Sequence, residues 1–210
     1  MIVGWERAAL VWLRWLEAVT APAFAGAACA LLVLPVVTWL PALAATARTL
    51  HRWRTEGETS CFTGVFADFR RYWRPLLPHS LLGAVAAVLL TVNAVLLTGP
   101  LPQASAPVAF GLLVGQLGLG AVLVLYHLGV AVAAALAPEA GAGDWRRGGL
   151  VVAFGSPRRG LALLATVAAT PVVTLVLPLG PVLYGVSLPL LVGLGMTKRL
   201  PGGPGVRSAR

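Results

Sequence analysis

Charged side chains are scarce in this sequence, since Asp, Glu, Lys and Arg make up 11% of its 210 residues. A typical soluble domain contains about 25%. Apolar residues reach 58%, and the mean hydropathy is +0.85. This composition argues against an ordinary soluble domain and predicts a protein that is immersed in a lipid bilayer.

Side chains of Asp, Glu, Lys and Arg are also missing from the predicted membrane spans, which contain none of the seven acidic and none of the sixteen basic residues. Proton pumps, ion carriers and channels with a charged lumen keep such groups inside the membrane. An intramembrane enzyme would need acids, bases and nucleophiles there. The two cysteines, Cys29 and Cys61, have no metal-ligand neighbours. We therefore predict a protein that is not an enzyme and that holds no cofactor and no metal.

Apolar runs of the length that a membrane requires occur five times. About 20 helical residues cross a hydrocarbon core of about 30 Å. The sequence LPLGP supplies a turn between the last two runs, which are short. These runs predict an all-α fold, a polytopic transmembrane helical bundle of about five spans within residues 19–197. The predicted spans are Thr20 to Leu40, Leu76 to Leu97, Val108 to Leu128, Leu161 to Leu177 and Val182 to Met196.

Basic residues cluster in three segments: six between Arg48 and Arg74, four between Arg146 and Arg159, and four from Lys198 onward. The positive-inside rule predicts that these segments are cytoplasmic, namely a loop over residues 46–75, the 146–159 segment and a disordered basic tail over residues 198–210. Five spans leave the N-terminus outside, whereas a six-span alternative puts it inside. Because the arginines lie between apolar runs and form no continuous face, nucleic acid is not an expected partner. The composition suggests a bacterial plasma membrane.

Two stretches have the pattern of amphipathic helices that lie in the membrane interface. In residues 1–18, the four charged residues fall within an arc of about 100°, opposite the tryptophans. In residues 65–76, apolar and charged residues also divide between two faces. The apolar face there contains Phe66, Phe69, Trp73 and Leu76, and the charged face contains Asp68, Arg70, Arg71 and Arg74.

The segments LPVVTWLPALAATARTLHRW and GETSCFTGVFADFRRYWRPLL follow one another between about Leu31 and Leu82. In their order of elements they resemble the YesL-like family of bacterial multi-pass membrane proteins. The matching positions are Pro35, Thr38, Pro41, Ala42, Ala44, Ala45, Gly57, Glu58, Asp68 and Phe69. Trp39 and Leu40 depart from the family pattern, which has a small residue before the proline. The resemblance implies a domain of unknown function that is associated with carbohydrate uptake beside ABC-type sugar permeases.

Arginines and aromatic residues of the 46–75 loop suggest a docking surface. Such residues dominate protein interfaces, which favours a membrane-protein partner. They also anchor helices to anionic lipid headgroups, at about 1 kcal/mol for each base. The leading hypothesis for function is a non-enzymatic accessory or scaffold protein. The candidate docking residues are Arg48, Arg52, Arg54, Glu58, Asp68, Phe69, Arg70, Arg71, Trp73 and Arg74.

The tetrapeptide PVVT occurs twice, at Pro35 to Thr38 and at Pro171 to Thr174, and another proline follows each copy. Paired proline-broken helices are typical of inverted-repeat transporters, so the alternative function is a small transporter of a neutral solute that works as a homo-oligomer. A proline in lipid needs neighbouring helices or a hydroxyl to satisfy the freed carbonyls, so the first break is expected inside the bundle. Candidate break and packing residues are Pro35, Thr38, Pro41, Gln116, His127, Thr170, Pro171 and Thr174.

His79 begins the second predicted span and His127 ends the third. Antiparallel packing of these spans would bring the two rings to a similar depth in the membrane. A shared metal site would need further ligands, and the spans contain none. Two histidines at one depth are therefore the expectation.

Overall fold

The computed structural model describes residues 2–99, 106–175 and 179–197. These residues contain helices and no strand, which confirms the all-α fold class. The predicted tail, 198–210, lies outside the described residues, as do the side chains of Trp5, Glu6 and Arg7. The helices are α1 (Ile2–Val33), α2 (Trp39–Glu56), α3 (Cys61–Thr98), α4 (Ala106–Leu136), α5 (Ala142–Phe154), α6 (Pro157–Thr174), α7 (Gly180–Tyr184) and α8 (Ser187–Thr197).

Four of the described segments are long and apolar enough to cross a membrane, and the bent pair α5 and α6 would add a fifth if it crossed as one span. These segments correspond in order to the five predicted runs, which supports a multi-pass membrane protein. The pair Ala142–Phe154 and Pro157–Thr174 bends by 89° at its break. The four single segments are Val11–Val33, Cys61–Thr98, Pro107–Leu136 and Gly180–Thr197.

Helix α1 is continuous, although the sequence predicted a separate interfacial helix over residues 1–18. Pro22 lies inside α1, yet the helix runs on for 32 residues. One proline removes a single backbone hydrogen bond, and the neighbouring turns on both sides keep theirs. Trp12 and Trp15 are 70% and 66% exposed, so their indoles face the surroundings of the bundle.

The chain reverses direction between α1 and α2, which differs from the single span expected from Thr20 to Leu40. Helix α1 ends at Val33, and Val36 has a φ of 44°, in the left-handed region. Helix α2 then packs along α1 and brings the indole N–H of Trp53 to 3.2 Å from the carboxylate of Glu17. Residues 17 and 53 therefore lie at the same end of the α1–α2 hairpin.

Helix α2 is the centre of the bundle, in contact with α1, α3, α4 and α8. Ten of its residues are buried, and four of these are alanines. Small side chains let neighbouring backbones approach closely, which is how helices pack in membranes. The helix ends at Gly57, whose φ of 70° fits the left-handed position that glycine takes at helix ends.

Helix α3 is also continuous, so the predicted interfacial helix over 65–76 and the predicted second span form one helix of 38 residues. At 1.5 Å for each residue it is about 57 Å long. Pro75 and Pro78 lie within it. Tyr72, Leu76 and Ser80 are buried on its inner face, so packing holds the helix together where the prolines weaken it.

Beyond Gly83, helix α3 leaves the compact part of the bundle, as does the first half of α4. These two arms expose large apolar side chains, of which Leu89 at 64% and Phe110 at 69% are examples. In water such a surface would drive aggregation, and in hydrocarbon it is the ordinary lipid-facing surface. The arms are thus suited to the interior of a bilayer.

Candidate functional site

The carboxyl end of α4 is held by side chains from two other helices. The last turn of a helix leaves carbonyl groups without helical partners. The Tyr72 hydroxyl of α3 donates a hydrogen bond to the carbonyl of Ala134 at 3.1 Å. The Trp145 indole of α5 donates to the carbonyl of Ala137 at 2.8 Å. These contacts fix α3, α4 and α5 at one end of the bundle.

Two arginines of the predicted docking set complete this arrangement. Arg48 donates to the carbonyl of Ala135 at 3.1 Å. Arg71 donates to the carbonyl of Pro138 at 3.2 Å and pairs with the carboxylate of Glu139 at 2.5 Å. Positive charge at a helix C-terminus is also favourable electrostatically. Both arginines therefore bond other parts of the fold, Arg48 from a partly buried position and Arg71 from the surface.

Asp68 organises the loop between α2 and α3. It accepts hydrogen bonds from Arg52 at 3.1 Å and from the Thr49 hydroxyl at 3.1 Å. Arg52 also pairs with Glu58 at 3.2 Å, so one guanidinium joins two carboxylates. This cluster, which includes the predicted residues Arg52, Glu58 and Asp68, ties the loop to α2.

Arg54 is the third arginine of α2, and it binds a different neighbour. Its guanidinium donates to the carbonyl of Leu191 in α8 at 3.2 Å. Together with Arg48 and Arg52, it joins the central helix to α4, α3 and α8. We call this end of the molecule, where the arginines of α2 lie, the basic end.

The outer face of the first half of α3 exposes aromatic and basic side chains. Phe62, Phe66 and Trp73 are 38%, 36% and 39% exposed, and Arg70 and Arg74 are exposed beside them. The rings of Phe62 and Phe66 lie 5.4 Å apart. We call these five residues the α3 ridge. It contains Arg70, Trp73 and Arg74 of the predicted docking set, together with two phenylalanines that were not in that set.

The two predicted faces of residues 65–76 need correction. Asp68, assigned to the charged outer face, turns inward to Thr49 and Arg52. Arg71 stays exposed and bonds the carbonyl of Pro138. Leu76 is fully buried, and Phe69 is partly buried against the core. The prediction from the hydrophobic pattern assumed that every charged side chain faces outward. In the structure some charged side chains instead form hydrogen bonds with polar groups of the bundle.

No family model, curated protein or solved structure matches the chain. Function therefore has to be inferred from the site itself.

The first proline break lies at the surface, and the expectation that it packs inside the bundle is wrong for Pro35, which is exposed. Thr38 is buried, and its hydroxyl donates to the carbonyl of Leu32, as expected of a hydroxyl beside a proline. Pro41 is buried in the first turn of α2, where a missing N–H costs nothing.

The second PVVT copy does not repeat this geometry. Pro171 lies inside α6, which continues to Thr174. The hydroxyls of Thr170 and Thr174 donate back to carbonyls of their own helix, those of Thr166 and Thr170, at 2.6 and 2.7 Å. The first copy separates two helices, whereas the second is helical. The backbones of these two segments therefore do not show the inverted repeat on which the alternative function was based.

Gln116 joins the two apolar arms. Its side chain donates to the carbonyl of Leu90 and accepts a hydrogen bond from Asn93 at 3.1 Å. Polar pairs of this kind hold helices together in an apolar surrounding.

His79 and His127 lie together, as the sequence predicted from antiparallel packing. Their ring centroids are 5.5 Å apart, and the ring of His127 lies 4.5 Å from that of Trp39. The Trp39 indole donates to the carbonyl of Ser80 at 3.1 Å. Among the residues that the structure describes, no three His, Cys, Asp or Glu side chains are grouped for a metal. The pair therefore packs the start of α2 against α3 and α4.

An apolar cavity of about 240 Å³ lies beside the first break. Val33 and Trp39 line one side, and Val167, Gly185 and Val186 line the other. A sugar would lose the water bound to its hydroxyls without gaining hydrogen bonds from such walls. The cavity therefore gives no support to transport of a carbohydrate.

Tyr72, Trp145 and Ser80 are important contacts that sequence reasoning missed. Tyr72 and Ser80 form hydrogen bonds with residues 62 and 40 positions away along the chain, and Trp145 bonds a carbonyl eight residues before it. A buried Tyr or Trp needs a partner for its polar atom, but the sequence alone does not indicate which backbone group provides it.

Proposed function

We propose that this chain is a non-enzymatic accessory or scaffold protein of the bacterial plasma membrane. Its apolar arms lie in the bilayer, and its basic end faces the cytoplasm, in accord with the positive-inside rule. Because Glu17 contacts Trp53, we assign residue 17 to the cytoplasmic side too, in place of the outside position expected from five straight spans.

The observation that carries the proposal is that the α3 ridge is exposed. The arginines of α2 beside it form hydrogen bonds with other parts of the same chain. Exposed aromatic residues flanked by arginine have the composition of binding hot spots. The remaining arginines of the docking set bind carbonyl and carboxylate groups of the chain itself. They would hold the ridge rigid, which lowers the entropy cost of binding.

The proposed partner is another membrane protein. The resemblance to the YesL-like family points to an ABC-type sugar permease and thus to carbohydrate uptake. The size of the ridge, five residues along about three turns of helix, fits a contact that a helix of such a permease could cover.

Crosslinking in native membranes, followed by purification, tests this role. The wild type is expected to recover a membrane protein, and Trp73→Ala is expected to reduce the recovery about tenfold, as for a hot-spot residue. Trp12→Ala is the matched control, since it removes an equally large indole that is 70% exposed on α1.

Recovery of the chain alone, from membranes in which other complexes survive, would contradict the proposal. The proposal would also be contradicted if Trp73→Ala and Trp12→Ala reduced the recovery of the crosslinked partner equally. If Trp73→Ala weakens binding to protein-free anionic vesicles and leaves the crosslinked product unchanged, the ridge is a lipid anchor and the accessory role loses its support.

A further inference from the structure

A second cavity lies between α3 and the first turns of α5. Its volume is about 370 Å³, and His79 and Arg146 are its polar lining residues. Cavities of about 300–1,000 Å³ are typical of small-molecule sites. Neither side chain belongs to the α3 ridge, so this cavity is separate from the proposed partner surface.

Both polar residues at the cavity have unused hydrogen-bonding capacity. The Nε2 atom of His79 is buried and has no hydrogen-bond partner. Arg146 forms no ion pair within the part of the chain that the structure describes, and only its Nε–H is bonded, to the carbonyl of Ala142 at 3.3 Å. A buried polar atom without a partner is costly, so a ligand that accepts hydrogen bonds would be stabilised here.

The remaining walls of the cavity are apolar and open onto the lipid-facing surface of α3. Pro75, Pro78 and Leu82 belong to these walls, and Leu82 is 65% exposed. Val85 and Leu89 follow Leu82 at helical spacing and are 48% and 64% exposed. The cavity therefore continues into an apolar stripe along the helix.

The length of this stripe matches one leaflet of a bilayer. Half of a hydrocarbon core is about 15 Å, which is the rise of about ten helical residues. Ten residues from Leu82 lead to Val92, which is 51% exposed. A molecule with an anionic head at Arg146 and a hydrocarbon chain along this stripe would satisfy both parts of the site.

We propose that the cavity binds one anionic phospholipid, whose phosphate accepts hydrogen bonds from Arg146 and from the Nε2–H of His79. One acyl chain lies along Leu82, Val85 and Leu89. Charge-assisted hydrogen bonds to phosphate are stronger than those between neutral groups. A zwitterionic phospholipid has the same phosphate, but its ammonium would lie near the Arg146 guanidinium, so repulsion between like charges favours an anionic headgroup. The proposal does not depend on the accessory role above.

Native mass spectrometry of the full chain in detergent tests this site, with phosphatidylglycerol as the probe and phosphatidylcholine as the zwitterionic comparison. The wild type is expected to retain one phosphatidylglycerol. Arg146→Gln is expected to weaken that binding about tenfold, the effect of losing one charged hydrogen bond. Arg147→Gln is the matched control, because Arg147 is an exposed arginine of the same helix that does not line the cavity.

His79→Phe keeps an aromatic ring and removes the nitrogens, so it is expected to weaken phosphatidylglycerol binding by the loss of one hydrogen bond to the phosphate. If Arg146→Gln and Arg147→Gln weaken phosphatidylglycerol binding equally, the lipid responds to the overall positive charge of the protein and not to one site. The proposed site is then wrong. If millimolar inorganic phosphate displaces the lipid completely, the site recognises a free anion and the lipid assignment is wrong. Loss of crosslinking at the α3 ridge would leave these results unaffected.

Discussion

Arg48 and Arg70 carry the same charge in the same segment of sequence, yet their surroundings differ. Arg48 is partly buried and donates to the carbonyl of Ala135. Arg70 is exposed on the α3 ridge and forms no ion pair with any residue that the structure describes. The first should contribute to folding stability, whereas the second is available for binding.

Replacing these two arginines separately tests that distinction. Arg48→Gln is expected to lower the free energy of unfolding by about 1–3 kcal/mol, because a buried carbonyl loses a charged donor. Arg70→Gln is expected to change it by less than about 0.5 kcal/mol, as for most surface substitutions. Thermal unfolding in detergent, followed by tryptophan fluorescence, gives the comparison. Equal losses of stability would show that Arg48 has no special structural role.

The proximity of His79 and His127 could be predicted from sequence, because two antiparallel spans fix the depth of their end residues. The inward turn of Asp68 and the contact of Arg71 with Pro138 could not. A hydrophobic pattern reports only where apolar residues lie, and it assigns every charge to the outside. The partners of these two residues, the hydroxyl of Thr49 and the carbonyl of Pro138, lie 19 and 67 residues away along the chain.

Helices α4 and α5 approach each other at glycine. A Cβ atom on Gly149 would lie 2.6 Å from the Val130 side chain and 2.7 Å from the Val130 backbone nitrogen. Neither helix backbone can yield to that contact locally, so the two helices would have to separate. This contact also positions Trp145 to bond the end of α4.

Gly149→Ala is therefore expected to destabilise the protein by about 1–3 kcal/mol, the usual effect of overpacking. Gly143→Ala is the control on the same helix, since a Cβ atom there has nothing within 4 Å. It is expected to be neutral or to stabilise by up to about 1 kcal/mol, because alanine loses less backbone freedom on folding. Thermal unfolding of both variants measures the difference, and a neutral Gly149→Ala would contradict the close approach.

Element boundaries were predicted less well than element types. The apolar runs identified the segments that are long enough to span a membrane, because that signal depends on length and composition alone. Pro35 and Pro75 did not show in the same way where a helix ends. The chain reverses direction after the first and remains helical through the second, since buried neighbours such as Tyr72 and Leu76 support the helix only at the second.

The direction of α2 decides the topology of the whole molecule. Hydropathy reports that a segment can enter a bilayer, but it does not report whether the chain crosses or returns. The contact between Glu17 and Trp53 makes α1 and α2 a hairpin with both outer ends at the basic end. Helix α3, about 57 Å long, then carries the chain from that end to the opposite one.

Cysteine accessibility separates this hairpin from a single crossing between Thr20 and Leu40. Cysteines at Ala18, Ser60 and Thr98, all exposed, are introduced one at a time after Cys29 and Cys61 are replaced by alanine. The hairpin predicts that a membrane-impermeant maleimide labels positions 18 and 60 from the same side and position 98 from the other. A single crossing predicts that positions 18 and 98 share a side and position 60 is opposite. Detergent-solubilised samples, in which all three cysteines react, provide the control. Because the two arrangements assign position 18 to different sides, its labelling alone decides whether the N-terminal hairpin exists in the membrane.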